Sequence, residues 1–138
     1  MSTNSRIGLQ LSDGSILSAY HHWDGYPEWL GVTLEEQFNE IQNVAELIDG
    51  GDMSSCWSDN VYDYDKQEFV KRKPCPEYYS ERGENVPPVL HKDFKDFIKA
   101  TDRCCGEFAY LFKDNKWHAY QVYNEDTSRP VAIPQEVK

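Results

Sequence analysis

Alternating apolar and polar residues predict a β-hairpin near the start of the chain. The segment 6–12 has the period-two pattern of a half-buried strand, with its apolar side formed by Ile7, Leu9 and Leu11. Asp13-Gly14 follows as a two-residue turn signal, and the segment 16–20 continues as the return strand. This hairpin leads directly into a turn that is rich in aromatic residues.

Helical spacing begins after that turn. Thr33 and Glu36 have the spacing of a capping box, and the apolar positions that follow recur at helical intervals: Leu34, Phe38, Ile41, Ala45 and Ile48. Gly50-Gly51 then ends the pattern. Asn43 and Glu46 form a second capping-like pair, so the segment is either one helix of about 15 residues or two short helices broken near Gln42.

The rest of the chain is less regular in its middle and regular again towards its end. The segment 52–88 is rich in turn formers, and at least one short strand is expected there, near 68–70 or 77–79. A helix is predicted over 92–100, presenting Phe94, Phe97 and Ile98. A second hairpin is predicted from strands over 107–112 and 117–123, and the tail after Glu125 is expected to be extended or frayed.

These elements predict an α+β fold. The expected sheet is antiparallel, built from the two hairpins plus a short middle strand, with two helices packed on it. A chain of 138 residues is long enough for one hydrophobic core, so we expect a single domain over 1–138 with an ordered core of about 5–125. A core of that size needs neither a metal nor a disulfide.

The compartment is predicted from what the sequence lacks. No run of about 18 apolar residues is present, which excludes a transmembrane helix. The first six residues are polar and lead directly into a strand pattern, so no signal peptide is expected and a cytoplasmic location follows. The four cysteines, of which Cys104 and Cys105 are adjacent, are therefore expected to be free thiols.

The candidate functional region is the segment 21–31, which combines two histidines, two tryptophans, a tyrosine and two carboxylates. Asp24, Gly25 and Pro27 are explained by a tight turn, because Asp accepts backbone amides, Gly allows a left-handed conformation and Pro fixes φ. A turn does not explain why Trp23, Tyr26 and Trp29 lie so close together. The segment is therefore either a structural lock or the surface of a binding site.

Catalytic interpretations of this region compete with simpler ones. His21 and His22 are adjacent, and on a strand they point to opposite faces, so no metal site is predicted. A hydrolase with His22 as base and Asp24 or Asp52 as its orienting partner is an alternative, as is a thiol nucleophile at Cys56 or Cys75. The stretch 50–55 resembles a phosphate loop in its glycines, but it follows a helix and has no Lys, which favours an ordinary helix C-terminus.

Four sequence segments resemble a group of small uncharacterised proteins of tailed phages and prophages. They are the turn 22–27 with Gly31, the stretch 51–55, the stretch 79–84 and the hairpin 108–122. Glu81 stands where the group tends to have Asp, and Met53 where it has Leu. The resemblance implies a similar fold and a viral or prophage origin, and the group carries no activity to transfer.

The charge distribution adds a class of partner. The net charge of −10 argues against binding to nucleic-acid phosphates, and ten carboxylates against one cation fall between Glu35 and Glu68. Such a block is either a solvated face or, in a phage setting, a surface that imitates nucleic-acid charge and blocks a host DNA- or RNA-binding protein. Trp57, Tyr62 and Tyr64 would then be the anchors of that interface.

We therefore expect a small acidic phage-type accessory protein that acts as a protein-binding module, with a host or phage protein as partner. No cofactor, metal, nucleic acid or membrane is expected. The alternative is a small hydrolase or nucleotide-binding protein that uses the region of His22, Asp24 and Asp52. The turn 22–27 and the stretch 51–55 are expected to lie together and form the binding residues: His22, Trp23, Asp24, Tyr26, Asp52, Ser54, Ser55 and Arg82.

Overall fold

The structure is a computed structural model that describes residues 3–23, 25–56, 60–63, 65–71, 77–84 and 86–133. Within these residues the strands are β1 Asn4–Gln10, β2 Ile16–His21, β3 Met53–Ser55, β4 Asn60–Asp63, β5 Glu68–Lys71, β6 Glu77–Tyr78, β7 Val89–His91, β8 Gly106–Lys113, β9 Lys116–Asn124 and β10 Thr127–Val131. The α-helices are α1 Val32–Gln37, α2 Ile41–Asp49 and α3 Phe94–Arg103. A π-helical turn, Pro27–Gly31, precedes α1, and a 3-10 turn, Tyr79–Arg82, follows β6.

Eight of the strands form one mixed sheet. Its order is β10-β9-β8-β1-β2-β3-β6, and β7 pairs with β2 beyond the end of β3, while β4 and β5 form a separate two-stranded ribbon. The α+β class is confirmed, but the prediction of a purely antiparallel sheet is wrong. β1 runs parallel to β8, and β2 runs parallel to β3. Local patterns specify the two hairpins, whereas the parallel pairs join segments that are distant in sequence.

The two predicted hairpins are present, with different turns. In the second hairpin Asp114 and Asn115 both have positive φ, 55° and 60°, which suits a two-residue turn between paired strands. In the first hairpin Gln10 pairs with Ile16, so the loop is longer than the two residues predicted. The Leu11 amide donates to the Ser15 carbonyl across that loop.

The sheet is covered on both faces, which the half-buried pattern did not predict. Residues Ser5–Leu9 of β1 are all buried, because β1 lies at the centre of the sheet. Ile7 and Leu9 pack with the core of α1 and α2. On the opposite face, a Cβ at Gly8 would lie 3.0 Å from the Phe97 ring of α3. Three helices therefore sandwich the sheet, rather than the two predicted.

The break between α1 and α2 confirms the interpretation of two short helices. Phe38 leaves the helical region with φ −130° and ψ 61°, and its carbonyl accepts a hydrogen bond of 2.7 Å from the buried Trp117 indole. The predicted capping pairs, Thr33 with Glu36 and Asn43 with Glu46, are wrong. The α1 N-terminus has no side-chain cap from the described residues, and α2 begins after Glu40, whose amide donates to the Asn43 side chain. The break shifts the helical phase, so Ile41 is 59% exposed while Val44 and Leu47 are buried.

The remaining predictions for the chain's second half are largely confirmed. Strands β5 and β6 lie at the two positions where a short strand was expected, and α3 matches the helix predicted over 92–100. The tail after Glu125, expected to be extended or frayed, is extended: β10 continues the sheet beside β9 as far as Val131, beyond the expected limit of the ordered core. Among the described residues, no helix combines the length and the apolar character needed to cross a bilayer.

Three of the four cysteines lie in the described residues, and all three are free thiols: Cys56, Cys104 and Cys105. Cys56 is fully buried, and burial raises the pKa of its thiol, whereas Cys105 is exposed. Cys75 lies outside the described residues.

We expect iodoacetamide to modify Cys105 in the native protein and to reach Cys56 only after unfolding, because alkylation requires an accessible thiolate. Tandem mass spectrometry of native and urea-treated samples measures both sites. After denaturation without reductant, all four thiols should be modified. A mass deficit of about two hydrogens, the signature of a disulfide, would contradict this expectation.

Candidate functional site

The end of β2 carries the aromatic turn against β3. The His22 amide donates to the Met53 carbonyl at 3.1 Å, and the Trp23 amide donates to the Ser54 carbonyl at 2.9 Å. These bonds continue the parallel pairing of His21 with Met53. The structure therefore brings together the two segments that the sequence analysis expected to lie together.

Gly25 fixes the turn to the sheet. Its amide donates to the Thr3 carbonyl at 2.9 Å, and its own carbonyl accepts from the buried Tyr110 hydroxyl at 2.5 Å. A Cβ at this position would lie 2.8 Å from the Thr3 carbonyl oxygen, so only glycine fits. Pro27 is buried as the first residue of the π-helical turn. The backbone of the turn thus has a structural role.

The aromatic side chains of the turn point outward. Trp23, Tyr26 and Trp29 are 48%, 38% and 64% exposed, and we call these three residues the aromatic surface. The Trp23 ring lies edge-on to His22 with 4.7 Å between centroids, and Tyr26 lies edge-on to Phe108 at 6.4 Å. Packing within the molecule therefore accounts for one side of Trp23 and Tyr26 and leaves much of each ring in solvent.

His22 and Asp52 both contact Tyr20. The Tyr20 amide donates to Asp52 Oδ1 at 3.0 Å, and the Tyr20 hydroxyl lies 2.7 Å from His22 Nδ1. Burial, reinforced by the neighbouring Cys104, raises the pKa of Tyr20 to about 12, so this hydroxyl keeps its proton at neutral pH. On the side of β2 that faces away from β1, no strand residue that the structure describes pairs with Tyr20. The Asp52 side chain accepts the Tyr20 amide at this position instead.

Of the other predicted site residues, Ser54 alone has a side chain that the structure describes. Ser54 is buried, at 2% exposure, within β3. Gly51 adopts φ +86° just after α2, which confirms that the stretch 50–55 begins as a helix C-terminus. Asp24 and the side chains of Ser55 and Arg82 lie outside the described part of the chain. An ion pair of Arg82 with Asp24 or Asp52 therefore also falls outside it.

His21 lies on the other face of the sheet from His22. It is fully buried beside Ser5 and Met53, and burial lowers the pKa of its imidazole to about 3. The two histidines therefore do not share a site, as the strand alternation predicted. Among the residues that the structure describes, no group of three or more His, Cys, Asp or Glu side chains is arranged to hold a metal.

A second polar cluster, which the sequence analysis missed, lies on the α3 face of the sheet. Arg6 Nε donates to Ser18 Oγ at 2.9 Å, and Ser18 Oγ lies 2.6 Å from His91 Nε2. His91 Nδ1 is 3.7 Å from a carboxylate oxygen of Asp96. We call these four residues the Arg6 cluster. Arg6, Ser18 and His91 are 7%, 0% and 3% exposed.

The order Asp96–His91–Ser18 is that of a serine-hydrolase triad, but the geometry does not support that chemistry. Ser18 is fully buried, so a substrate cannot reach its Oγ, and Arg6 already donates to that oxygen. Burial, reinforced by Arg6, lowers the pKa of His91. Ser18 Oγ is held between the Arg6 guanidinium, which donates to it, and His91 Nε2, to which it is hydrogen-bonded at 2.6 Å.

A scan against protein-family models, a search of curated proteins and a search of solved structures found no match to this chain.

Proposed function

We propose that this protein is a small acidic binding module that uses the aromatic surface to hold a basic segment of a protein partner. The observation that carries the proposal is the exposure of Trp23, Tyr26 and Trp29 on a turn whose backbone is fixed by Gly25. Large aromatic side chains contribute strongly to protein interfaces, and a rigid turn loses little conformational entropy on binding.

Charge complementarity supports a cationic partner. The chain carries a net charge of −10, and exposed carboxylates accompany the aromatic surface and the helices that follow it: Glu28, Glu36, Glu40, Glu46 and Asp49. Lys and Arg side chains stack on Trp faces and pair with such carboxylates. A host or phage protein with a nucleic-acid-binding surface is the class of partner that has this chemistry, and the resemblance to phage proteins supports the same setting.

The hydrolase or nucleotide-binding alternative depends on His22, Asp24 and Asp52 acting on one ligand. In the structure the side chains of His22 and Asp52 are both engaged with Tyr20, and Asp24 lies outside the described residues. The exposed aromatic rings therefore favour the binding module.

We expect Trp29→Ala to weaken the partner complex about 30-fold, the effect of losing an aromatic hot spot, with no change in the fold. Trp23→Ala should act in the same direction. Tyr123→Ala is the matched control, because Tyr123 is 50% exposed on β9, outside the turn, and should bind normally. Affinity capture from host lysate with these baits, followed by titration of the purified partner, measures the effect.

Salt and DNA provide the other readouts of the same experiment. A complex with a basic segment should weaken as ionic strength rises from about 0.1 M to about 1 M, because the Debye length falls from about 10 Å to about 3 Å. The proposal fails if every captured protein binds the Trp variants and the wild type equally. Affinity of this protein for duplex DNA at physiological salt would also contradict it.

A further inference from the structure

We propose that the groove above the Arg6 cluster is a binding site for a small anion that carries a carboxylate or phosphate group. The groove has a volume of about 400 Å³ and lies between β7 and the side of α3 that carries Asp96, Lys99 and Arg103. This volume is in the range of small-molecule sites. The site is distinct from the aromatic surface, and its test is independent of the proposed protein partner.

Arg6 is the residue that indicates an anion. It lines the groove, and 93% of its surface is buried, since it is 7% exposed. Its hydrogen bonds go to Ser18, at Oγ and, with a long contact of 3.5 Å, at the carbonyl oxygen, and its side chain is also hydrogen-bonded to Cys104. Among the described residues, no carboxylate lies within 4.0 Å of its guanidinium. A buried guanidinium without a counter-ion is costly, and an anion in the groove would neutralise it.

The other charges around the groove favour the same ligand. Lys99 and Arg103 line it from successive turns of α3, and Arg103 also pairs with Glu125 at 3.1 Å. Asp96 is the one carboxylate among the described residues that line the groove, and it faces His91 rather than Arg6 in the contacts the structure shows. A groove lined by three cations stands out in a protein whose net charge is −10.

The shape of the cluster sets the chemistry of the ligand. The guanidinium is a planar fork of donors that matches the two oxygens of a carboxylate or phosphate. Ser18 and His91 hold that fork in place, because the Ser18 hydroxyl accepts from Arg6 Nε and is itself hydrogen-bonded to His91 Nε2. Val89 and Leu90, which are 47% and 60% exposed, add an apolar wall that suits a ligand with a hydrocarbon part.

The experiment is a thermal-melting titration of the full chain with three probes: inorganic phosphate, acetate and hexanoate. Sodium chloride at equal ionic strength provides the reference. We expect saturable stabilisation by at least one probe. Stronger binding of phosphate identifies a phosphate ligand, whereas stronger binding of hexanoate than of acetate identifies an apolar carboxylate. If none of the three stabilises the protein beyond sodium chloride, the proposal is overturned.

Three variants separate the groove from a general charge effect. Arg6→Met keeps the length of the side chain and removes the charge, and it should weaken binding by at least about tenfold. Lys99→Gln, a partly exposed helix residue, should weaken binding about threefold. Arg129→Gln removes one exposed charge from β10 and should leave binding unchanged. Equal losses in Lys99→Gln and Arg129→Gln would overturn the proposal.

A chemical readout covers the case in which Arg6→Met does not fold. Cys104 lines the groove and is partly exposed, whereas its neighbour Cys105 is exposed and is not among the lining residues. A bound anion should slow iodoacetamide modification of Cys104 in the wild-type protein and leave Cys105 as an internal standard, with tandem mass spectrometry assigning each site. A saturating probe that leaves the ratio of the two rates unchanged would place its binding elsewhere and overturn the proposal.

Discussion

Acidification from about pH 6.5 to about pH 4.5 is expected to lower the free energy of unfolding by roughly 2.5 kcal/mol through His21 alone. His21 is fully buried, and burial lowers the pKa of its imidazole from 6.5 to about 3. Between these two values the unfolded chain binds a proton at His21 and the folded protein does not. Stability from this residue is therefore complete above pH 6.5 and is lost progressively as the pH falls towards 3.

Two further groups among the described residues affect the same window. The pKa of His91 is also lowered, by burial and by Arg6, so His91 adds to the loss of stability on acidification. Burial raises the pKa of Glu35, which acts in the opposite direction, because the folded protein then takes up a proton before the unfolded chain does. The net slope should remain that of the histidines, since His21 has the larger shift.

Urea unfolding followed by tryptophan fluorescence at several pH values measures this slope. His21→Gln should flatten the profile in this window, even where the variant is less stable throughout, because it removes the titrating group. Thr101→Val, which changes a fully buried residue that does not titrate, is the control and should keep the wild-type slope. An unchanged slope in His21→Gln would show that His21 is not the group responsible.

The spacing of apolar residues and the positions of turn-forming residues predicted the local parts of this fold. The 106–124 hairpin, the two short helices and α3 all follow from residues close together in sequence. The parallel pairing of β1 with β8 does not, because it joins residues about 100 positions apart, such as Ile7 and Tyr110. That pairing also places β1 in the centre of the sheet. This explains why β1 is buried on both faces, although its sequence has the alternating pattern of a half-buried strand.

The same distinction between local and distant contacts applies to the two candidate sites. The contact between His22 or Trp23 and the β3 carbonyls was predictable, since α2 is short and returns the chain to its starting edge. The Arg6 cluster was not, because Arg6, Ser18 and His91 come from three strands and only the first two share a hairpin. His91 enters through β7, a strand of three residues whose side chains give no periodic signal.

Gly51→Ala, in the turn between α2 and β3, is expected to lower the free energy of unfolding strongly. Gly51 has φ +86°, a left-handed conformation that costs an L-residue about 1–2 kcal/mol. Its Cβ would also lie 2.3 Å from the Val86 carbonyl oxygen, which accepts the Asp52 amide at 3.0 Å. The clash is with backbone, so it cannot be relieved by rotating a side chain, and we expect a total loss of about 3 kcal/mol or more.

Gly14→Ala separates the two causes, because Gly14 has a similar φ of +90° and an added methyl group there would meet no atom within 4 Å. It should lose only the conformational part, about 1 kcal/mol. Urea midpoints of the two variants measure the difference, which is the contribution of the close approach to Val86. Equal losses would mean that the segment around Val86 moves aside easily. A larger loss in Gly51→Ala, together with faster hydrogen exchange at the Trp23 amide, would show that this contact holds β3 and the aromatic turn in place.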